Sequence, residues 1–330
     1  MIITKTPFRM SFFGGGTDFP DFYNEYGGAV LSTTFDKYCY VNVRHLPPFF
    51  ECTTELSYSE MERVTDINRI KHPAIREAMK YLDMREIRLS YEADLPARSG
   101  LGTSSSFAVG MLNAFYALKG KHKSNRQLAD DAIHLERTLC DEAGGVQDQI
   151  AAAFGGFNRI DFNESGYTVN PLVISNARKR QLNENLIMFF TGFARFSAEI
   201  QTNTQKALSD KTKELLEIKN LVYEAEEILT SKADLTEFGK LLDYTWKLKR
   251  GISSGITTNV VDNMYDVALK NGAVGGKLLG AGGGGFLVFY CEKEKQTSLI
   301  KALDGYLHIP FEFENDGTRI IHYTPEDYEI

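Results

Sequence analysis

No run of this 330-residue chain approaches the ~20 apolar residues of a membrane span. The stretch Leu186-Ile187-Met188-Phe189-Phe190 stops after five and reads as a buried strand. The first residues, Met1 to Pro7, lack the apolar core of a signal peptide, so the expected location is the cytoplasm. Cysteine is scarce and scattered. Cys39, Cys52, Cys140 and Cys291 form no CxxC pair, which excludes a zinc knuckle or a redox motif and suits a reducing compartment. Positive charge is also short: 37 Lys and Arg against 44 Asp and Glu give a net charge of −7, a poor footing for nucleic acid. The expected partners are therefore small molecules, with neither nucleic acid nor membrane among them.

What remains is an ordinary globular composition, 43% hydrophobic and 25% charged, long enough at ~150 residues per domain for about two domains. The first 100 residues read as strand-rich. Cys39, Val41 and Val43 alternate with Tyr38, Tyr40, Asn42 and Arg44, and Ile87, Leu89 and Tyr91 repeat the period of two. Phe107, Met111, Phe115 and Leu118 then predict a helix over about 103–119. Leu128, Ala132, Leu135 and Leu139 predict a second, closed by Gly144-Gly145, and a short third covers about 146–154. From about 195 the chain turns helical, with the Lys and Glu of 206–240 on a solvated face. A last helix near 258–271 ends at Asn271-Gly272, and Phe286 to Tyr290 reads as a strand. Without clean βαβ alternation the pattern predicts α+β rather than a doubly wound sheet, with a domain boundary near 175–185.

Two glycine-rich loops carry chemistry. In Asp94 to Ser106, Gly100 and Gly102 allow a tight turn and close backbone approach, and Thr103 to Ser106 open a helix. Free N–H groups and the positive end of the helix dipole make such a terminus a phosphate site, and its hydroxyls can ligate Mg²⁺. No G-K-[ST] follows, so this is not a Walker loop. Gly280, Gly282 and Gly285 match G-x-G-x-x-G, but a strand follows where a dinucleotide fold needs a helix. The chain also lacks the HRD and DFG triplets of protein kinases. Four consecutive glycines, Gly282 to Gly285, are entropically costly for a plain hairpin turn and suggest close approach to a ligand or to the first loop. Glu136 and Asp148 suit a metal carboxylate and a proton acceptor for phosphoryl transfer. Neither lies on the Leu128/Ala132/Leu135/Leu139 stripe, so spacing alone places both on a solvated face.

Three motifs in order, Thr6-Pro7-Phe8-Arg9 to Gly14-Gly15-Gly16-Thr17-Asp18, Pro96 to Ser106, and Gly276-Lys277-Leu278-Leu279-Gly280 to Gly285, resemble the GHMP kinase superfamily. The resemblance implies a two-domain α+β fold: a ribosomal protein S5 domain 2-like domain over 1–180 and a ferredoxin-like α/β domain over 181–330. It implies an ATP-dependent kinase using Mg²⁺. Carried over by position, Gly100, Leu101, Gly102, Thr103, Ser104 and Ser105 cradle the nucleotide phosphates, joined by Gly282 and Gly283. Ser104 and Glu136 hold Mg²⁺, with Thr103 and Ser105 as neighbouring alternatives to Ser104. Asp148, within Gly145-Val146-Gln147-Asp148-Gln149, is the catalytic aspartate, and Arg9 pairs with it and neutralises transferring charge. Gly15, Gly16, Thr17 and Asp18 face the substrate.

Galactokinases carry Gly-Glu-His-Thr-Asp where this chain has Gly14 to Asp18, which disfavours galactose. The string from Phe8 to Pro20 and the segment through Gly156 look closest to the family's D-glycero-α-D-manno-heptose 7-phosphate kinases. These make the 1,7-bisphosphate on the route to GDP-heptose for bacterial capsules and other glycans. Fucokinases and glucuronokinases share parts of the pattern and stay as alternatives, as does a non-catalytic sugar sensor. A sugar phosphate needs a second anion site, for which Lys5, Arg44, Arg98, Arg159 and Arg195 are candidates. The segment from Trp246-Lys247-Leu248-Lys249-Arg250 through Thr257-Thr258-Asn259 can also face the substrate.

Overall fold

A computed structural model describes residues 1–97, 99–192, 202–203, 205–206 and 209–325. The chain opens with β1 (Ile2–Phe13), the short α1 (Pro20–Tyr26) and the long β2 (Gly28–His45), then β3 (Thr54–Ser57), β4 (Met61–Val64), α2 (Pro73–Tyr81) and β5 (Ile87–Ala93). Three helices follow, α3 (Thr103–Leu118), α4 (Asn125–Ile133) and α5 (Gln147–Phe154), before β6 (Phe157–Asn163), β7 (Gly166–Pro171) and α6 (Asn176–Glu184). The second half holds β8 (Leu186–Phe190), α7 (Thr212–Thr230), α8 (Thr236–Arg250), α9 (Asn259–Lys270), β9 (Ala273–Leu278) and β10 (Phe286–Cys291). It closes with α10 (Lys293–Ala302), β11 (Leu307–Ile309), β12 (Phe313–Glu314) and β13 (Arg319–Tyr323). Among the described residues no helix is long and apolar enough to cross a membrane.

The strands form two sheets. One runs β13-β1-β2-β5-β3-β4, with β6, β7 and β12 attached through β2; the other runs β11-β8-β10-β9. Among the described residues only β3 and β5 pair in parallel. The chain passes between the sheets from β7 to β8, across the stretch where the boundary was expected. It then returns: β12 pairs with β2 and β13 with β1. Residues 313–323 therefore sit on the first sheet, and a cut at 180/181 does not separate the two sheets.

α3 is the centre of the first half. Fifteen of its 16 residues are buried, Ser104 being the exception, which explains why its apolar residues run all round it. It lies against β1 because Gly110 has no side chain; a Cβ there would sit 2.7 Å from Thr6 Oγ1. On the other face of the sheet, α7 and α8 cover β1 and β2. The Lys- and Glu-rich 206–240 stretch thus has a buried side, Leu215, Ile218, Leu221, Val222, Ala225 and Leu229, beneath its charged one. Phe238 of α8 meets Phe12 and Phe13 edge-on at 5.4 and 5.2 Å. In the second sheet alternation decides the neighbours. Met188, Phe286 and Val288 face the core beside Phe12, whereas Ile187, Phe189, Leu287 and Phe289 face α9, α10 and Trp246.

Three sequence expectations change. The helix after α3 does not run to Gly144-Gly145: α4 passes into a π-helical turn, His134–Leu139, and ends at Cys140. Residues 273–278, to which the sequence assigned no element, form strand β9; Gly275 is needed there because a Cβ would meet Gly239 O at 2.1 Å, where α8 packs close. The helix near 258–271 is not the last, since α10 follows. Its sequence, KEKQTSLIKA, buries only Leu299 fully and so carries almost no periodic signal.

Phe238→Ala should cost about 3–5 kcal/mol by opening a cavity against Phe12 and Phe13. Val173→Ala, at a side chain 88% exposed, should stay within about 0.5 kcal/mol. Urea unfolding of both variants checks this.

Candidate active site

The loop between β5 and α3 ends on Gly102, the N-cap of α3, in the left-handed region at φ 71°. No side chain caps the helix. Its first turn, Thr103 to Ser105, therefore presents backbone N–H groups and the positive dipole end with no competing carboxylate or hydroxyl cap. Gly100, at φ 81°, completes the bend. Leu101 is fully buried, so it can offer this concavity only its backbone. Of the three hydroxyl residues, Thr103 and Ser105 are buried and Ser104 is exposed.

Glu136 is not on a solvated face. It is 1% exposed, and its carboxylate accepts Ser104 Oγ at 3.0 Å, Ser105 Oγ at 2.7 Å and the amide of Gln149. The cause is the π turn. One added residue shifts the helical register, so that Leu135 and Glu136 both point inward, which a 3.6-residue count does not anticipate. A carboxylate beside one exposed hydroxyl suits a hard divalent cation that draws its remaining oxygens from phosphate and water. Among the described residues no group of three or more His, Cys, Asp or Glu could hold a metal alone.

Asp148 stands in the first turn of α5. Arg9, from β1, grips it with two parallel bonds, Nε to Oδ1 at 2.8 Å and Nη2 to Oδ2 at 2.7 Å, and donates Nη1 to Gly100 O at 2.6 Å. Arg9 is 4% exposed, while the Asp148 side chain keeps 21% and opens to the pocket. Gly102 makes room for this pair; a Cβ there would lie 3.2 Å from Arg9 Cγ and 3.4 Å from Asp148 Oδ2.

Asp18 is buried nearby and accepts the N–H groups of Gly16 at 3.0 Å and Gln147 at 3.2 Å. Burial raises its pKa above the usual carboxylate range, the charge of Asp148 raises it further, and the two N–H bonds oppose both. Gly145 accommodates it, since a Cβ would fall 1.9 Å from Asp18 Oδ2. Thr17 differs from its neighbours. Its hydroxyl turns inward to Gly14 O, Ala29 O and Ala29 N, so it holds the loop and does not line the pocket.

Gly15, Gly16, Asp18, Arg9 and Asp148 line one pocket, with about 680 Å³ of empty space including its mouth. Five further polar residues line it: Ser11, Arg137, Gln147, Lys249 and Lys277. Lys249 Nζ donates to Gly280 O at 2.6 Å. Lys277 is fully enclosed and donates to Ser11 O at 2.7 Å and Phe12 O at 3.0 Å, tying β9 to β1. Burial pulls both lysines below their ordinary pKa, Lys249 to about 8, with the neighbouring cations adding to the shift. Two polar atoms in the pocket wall, Ser11 Oγ and Gln147 Oε1, are buried with no hydrogen-bond partner among the described residues.

The two glycine loops meet directly. A Cβ on Gly280 would lie 2.4 Å from Gly100 Cα, one on Gly100 2.3 Å from Leu279 O, and one on Gly285 2.2 Å from Ser99 O. Gly282 and Gly283 pack instead on the 252–257 turn, where Gly283 N donates to Ile256 O at 2.9 Å. Neither lines the pocket; Gly280 and Ala281 do.

Of the proposed basic residues, three lie elsewhere. Lys5 stacks on Tyr38 at 3.6 Å, Arg44 stands near the far end of β2, and Arg159 pairs with Asp161 and Glu226. Arg98 and Arg195 lie outside the described residues. The 246–259 segment does reach the pocket through Lys249, Ile252 and Ile256. Lys277 and Gln147 sat unassigned inside the quoted motifs. A lone lysine in the strand leading to Leu278-Leu279 was the available signal, because lysine is rarely buried without a purpose. For Arg137 the sequence held none.

The model of the GHMP kinases N terminal domain matches residues 68–156, and that of the GHMP kinases C terminal matches 205–308. The D-glycero-alpha-D-manno-heptose 7-phosphate kinase of Campylobacter jejuni is 31% identical over 96% of this chain and 98% of its own length. The L-fucokinase/L-fucose-1-P guanylyltransferase of Bacteroides fragilis is 25% identical over 89% of this chain and 35% of its own. The crystal structure of a D-glycero-D-manno-heptose 1-phosphate kinase from Bacteroides thetaiotaomicron superposes with a TM-score of 0.79 at 25% identity. That match covers 98% of this chain and 99% of the other.

The lowered pKa of Lys249 has a measurable consequence. Between about 8 and its ordinary value of 10.5, the unfolded chain holds a proton on this lysine that the folded one does not. Its contribution to stability therefore rises with pH across that window. The unfolding free energy of wild type relative to Lys249→Met should climb from pH 8 to 10.5, measured by denaturant titration at each pH.

Proposed function

Since the chain belongs to the GHMP kinase family, and is thus an ATP-dependent phosphotransferase acting on a sugar, we propose that its acceptor is the anomeric hydroxyl of D-glycero-α-D-manno-heptose 7-phosphate. The product is the 1,7-bisphosphate, on the way to GDP-heptose for capsule or other bacterial glycans, and the reaction takes place in the cytoplasm. The observation that carries this reading is Asp148. It is clamped by Arg9 beside an uncapped helix terminus and faces a pocket whose cations outnumber its acids. The relative that is 31% identical over almost the whole chain supports the choice of heptose phosphate.

In the proposed reaction the nucleotide phosphates lie on the 100–105 loop, against the first N–H groups of α3. Ser104 and Glu136 would hold Mg²⁺, which would offset the negative charge of the nucleotide phosphates. Asp148 takes the proton of the anomeric hydroxyl, and the freed oxygen attacks the γ-phosphorus as the bond to ADP breaks. Arg9 keeps Asp148 aimed at the acceptor and places positive charge beside the phosphoryl group in flight. Asp18 holds Gln147 and the 14–16 turn in register, so the acceptor meets a preformed wall.

Asp148→Asn should keep the fold by circular dichroism and lower kcat by about 10²- to 10⁴-fold. Near-normal turnover would remove Asp148 from the proton-accepting role. ADP release with Mg²⁺-ATP should show its highest kcat/KM with the heptose 7-phosphate, and a much lower one with unphosphorylated heptose, in a panel that includes L-fucose, D-glucuronate and D-galactose. Turnover on a neutral sugar instead would keep the kinase and overturn the acceptor. ADP release with none of them would reject this acceptor and favour the sugar sensor.

A further inference from the structure

Four cations line the pocket, Arg9, Arg137, Lys249 and Lys277, against two carboxylates, Asp18 and Asp148. Arg9 is matched by Asp148. Among the described residues no carboxylate lies within ion-pair distance of Lys249, and its one hydrogen bond goes to a backbone carbonyl, Gly280 O. A buried ammonium with a single neutral acceptor is costly in the empty protein. That cost is removed when an anion enters. Lys277 is a weaker receptor, because two of its donors already serve Ser11 O and Phe12 O.

Gly15 shows where the anion fits. Its φ is not in the left-handed region, so glycine is not required there by the backbone. A Cβ at Gly15 would point into open pocket, 3.8 Å from Lys249 Nζ and 3.9 Å from Gln147 Nε2. The space left by the missing side chain is therefore flanked by two donors from different elements, α8 and α5. The Gln147 amide stands beside the Asp18 carboxylate, which accepts the Gln147 backbone N–H, and among the described residues its Oε1 is buried without a hydrogen-bond partner.

We propose that Lys249 and Gln147, across the bare backbone of Gly15, form a second anion subsite that binds the acceptor's own, untransferred phosphate. The proposal rests on the reading of the acceptor as a sugar phosphate. The Lys249 ammonium supplies the charge. The Gln147 amide donates to a phosphate oxygen, while Oε1 accepts an adjoining sugar hydroxyl. Gly15 sets the specificity by leaving the volume empty.

Three proteins test it: wild type, Lys249→Met, and Gly15→Glu, which places a carboxylate in the subsite within reach of Lys249. The readout is the ratio of kcat/KM for heptose 7-phosphate to that for unphosphorylated heptose. A charge-assisted hydrogen bond predicts that Lys249→Met lowers this ratio roughly 10- to 100-fold, through KM of the phosphorylated substrate. Gly15→Glu should lower it at least as far. An equal fall for both substrates, carried by kcat, would place Lys249 at the transferring phosphate and overturn the proposal.

A sugar-free arm separates this from the choice of acceptor. Calorimetry of inorganic phosphate binding uses protein saturated with Mg²⁺ and a non-hydrolysable ATP analogue, so that the transferred-phosphate position is filled. Binding to wild type that is lost in both variants supports the subsite even if the heptose proves wrong. Equal binding by wild type and Lys249→Met, or none by wild type, rejects it.

Discussion

One buried guanidinium sets the geometry of the catalytic half. Arg9 is rooted in the middle of β1, and its planar fork accepts partners only in fixed directions. Two of its nitrogens fix Asp148 at the start of α5, and a third fixes the carbonyl of Gly100, while its own backbone N–H donates to Leu101 O at 3.1 Å. Strand, loop and helix are thereby held to one another through a single side chain that solvent scarcely reaches. Removing its partner would strand a charge in the interior, a loss of about 3–5 kcal/mol. The absence of a side chain at Gly102 follows from the same demand for room.

Two carboxylates close to that fork live in different surroundings. Asp148 meets a guanidinium and the open pocket; Asp18 meets burial, two backbone donors and the negative charge of Asp148. Environments that differ in this way allow neighbouring acids to take separate tasks. Here one opens to the pocket and the other holds the pocket's wall in place. Across the pocket the lysines follow the converse rule, burial lowering the pKa of both.

Much of this was legible in the sequence. The change of period at Phe107 located α3, and the glycines ahead of it located the uncapped terminus. What stayed hidden involved either a break in a period or a contact between distant segments. Glu136 looked solvated because a helical count of 3.6 cannot register the extra residue of a π turn. β9 was hidden by Gly275 and Gly276, which are small because α8 and Phe289 crowd them and not because the chain turns there. The return of β12 and β13 to the first sheet left no local trace, since pairing with β1 and β2 is decided some 280 to 320 residues away. Thr17 stood in a recognisable motif, yet its hydroxyl is absorbed by the turn that carries it.

The seam between the two glycine loops is made of main chain alone: Gly100 lies on Leu279 and Gly280, and Ser99 on Gly285. A joint of this kind has no side-chain chemistry that must be matched across it. Of the pocket-lining side chains, those at positions 11, 15 and 147 lie outside this seam, whereas Lys249 reaches it through its bond to Gly280 O. A main-chain joint keeps its fit when side chains around it change size, so a substitution in the pocket wall at position 11, 15 or 147 leaves the loop beside α3 its shape.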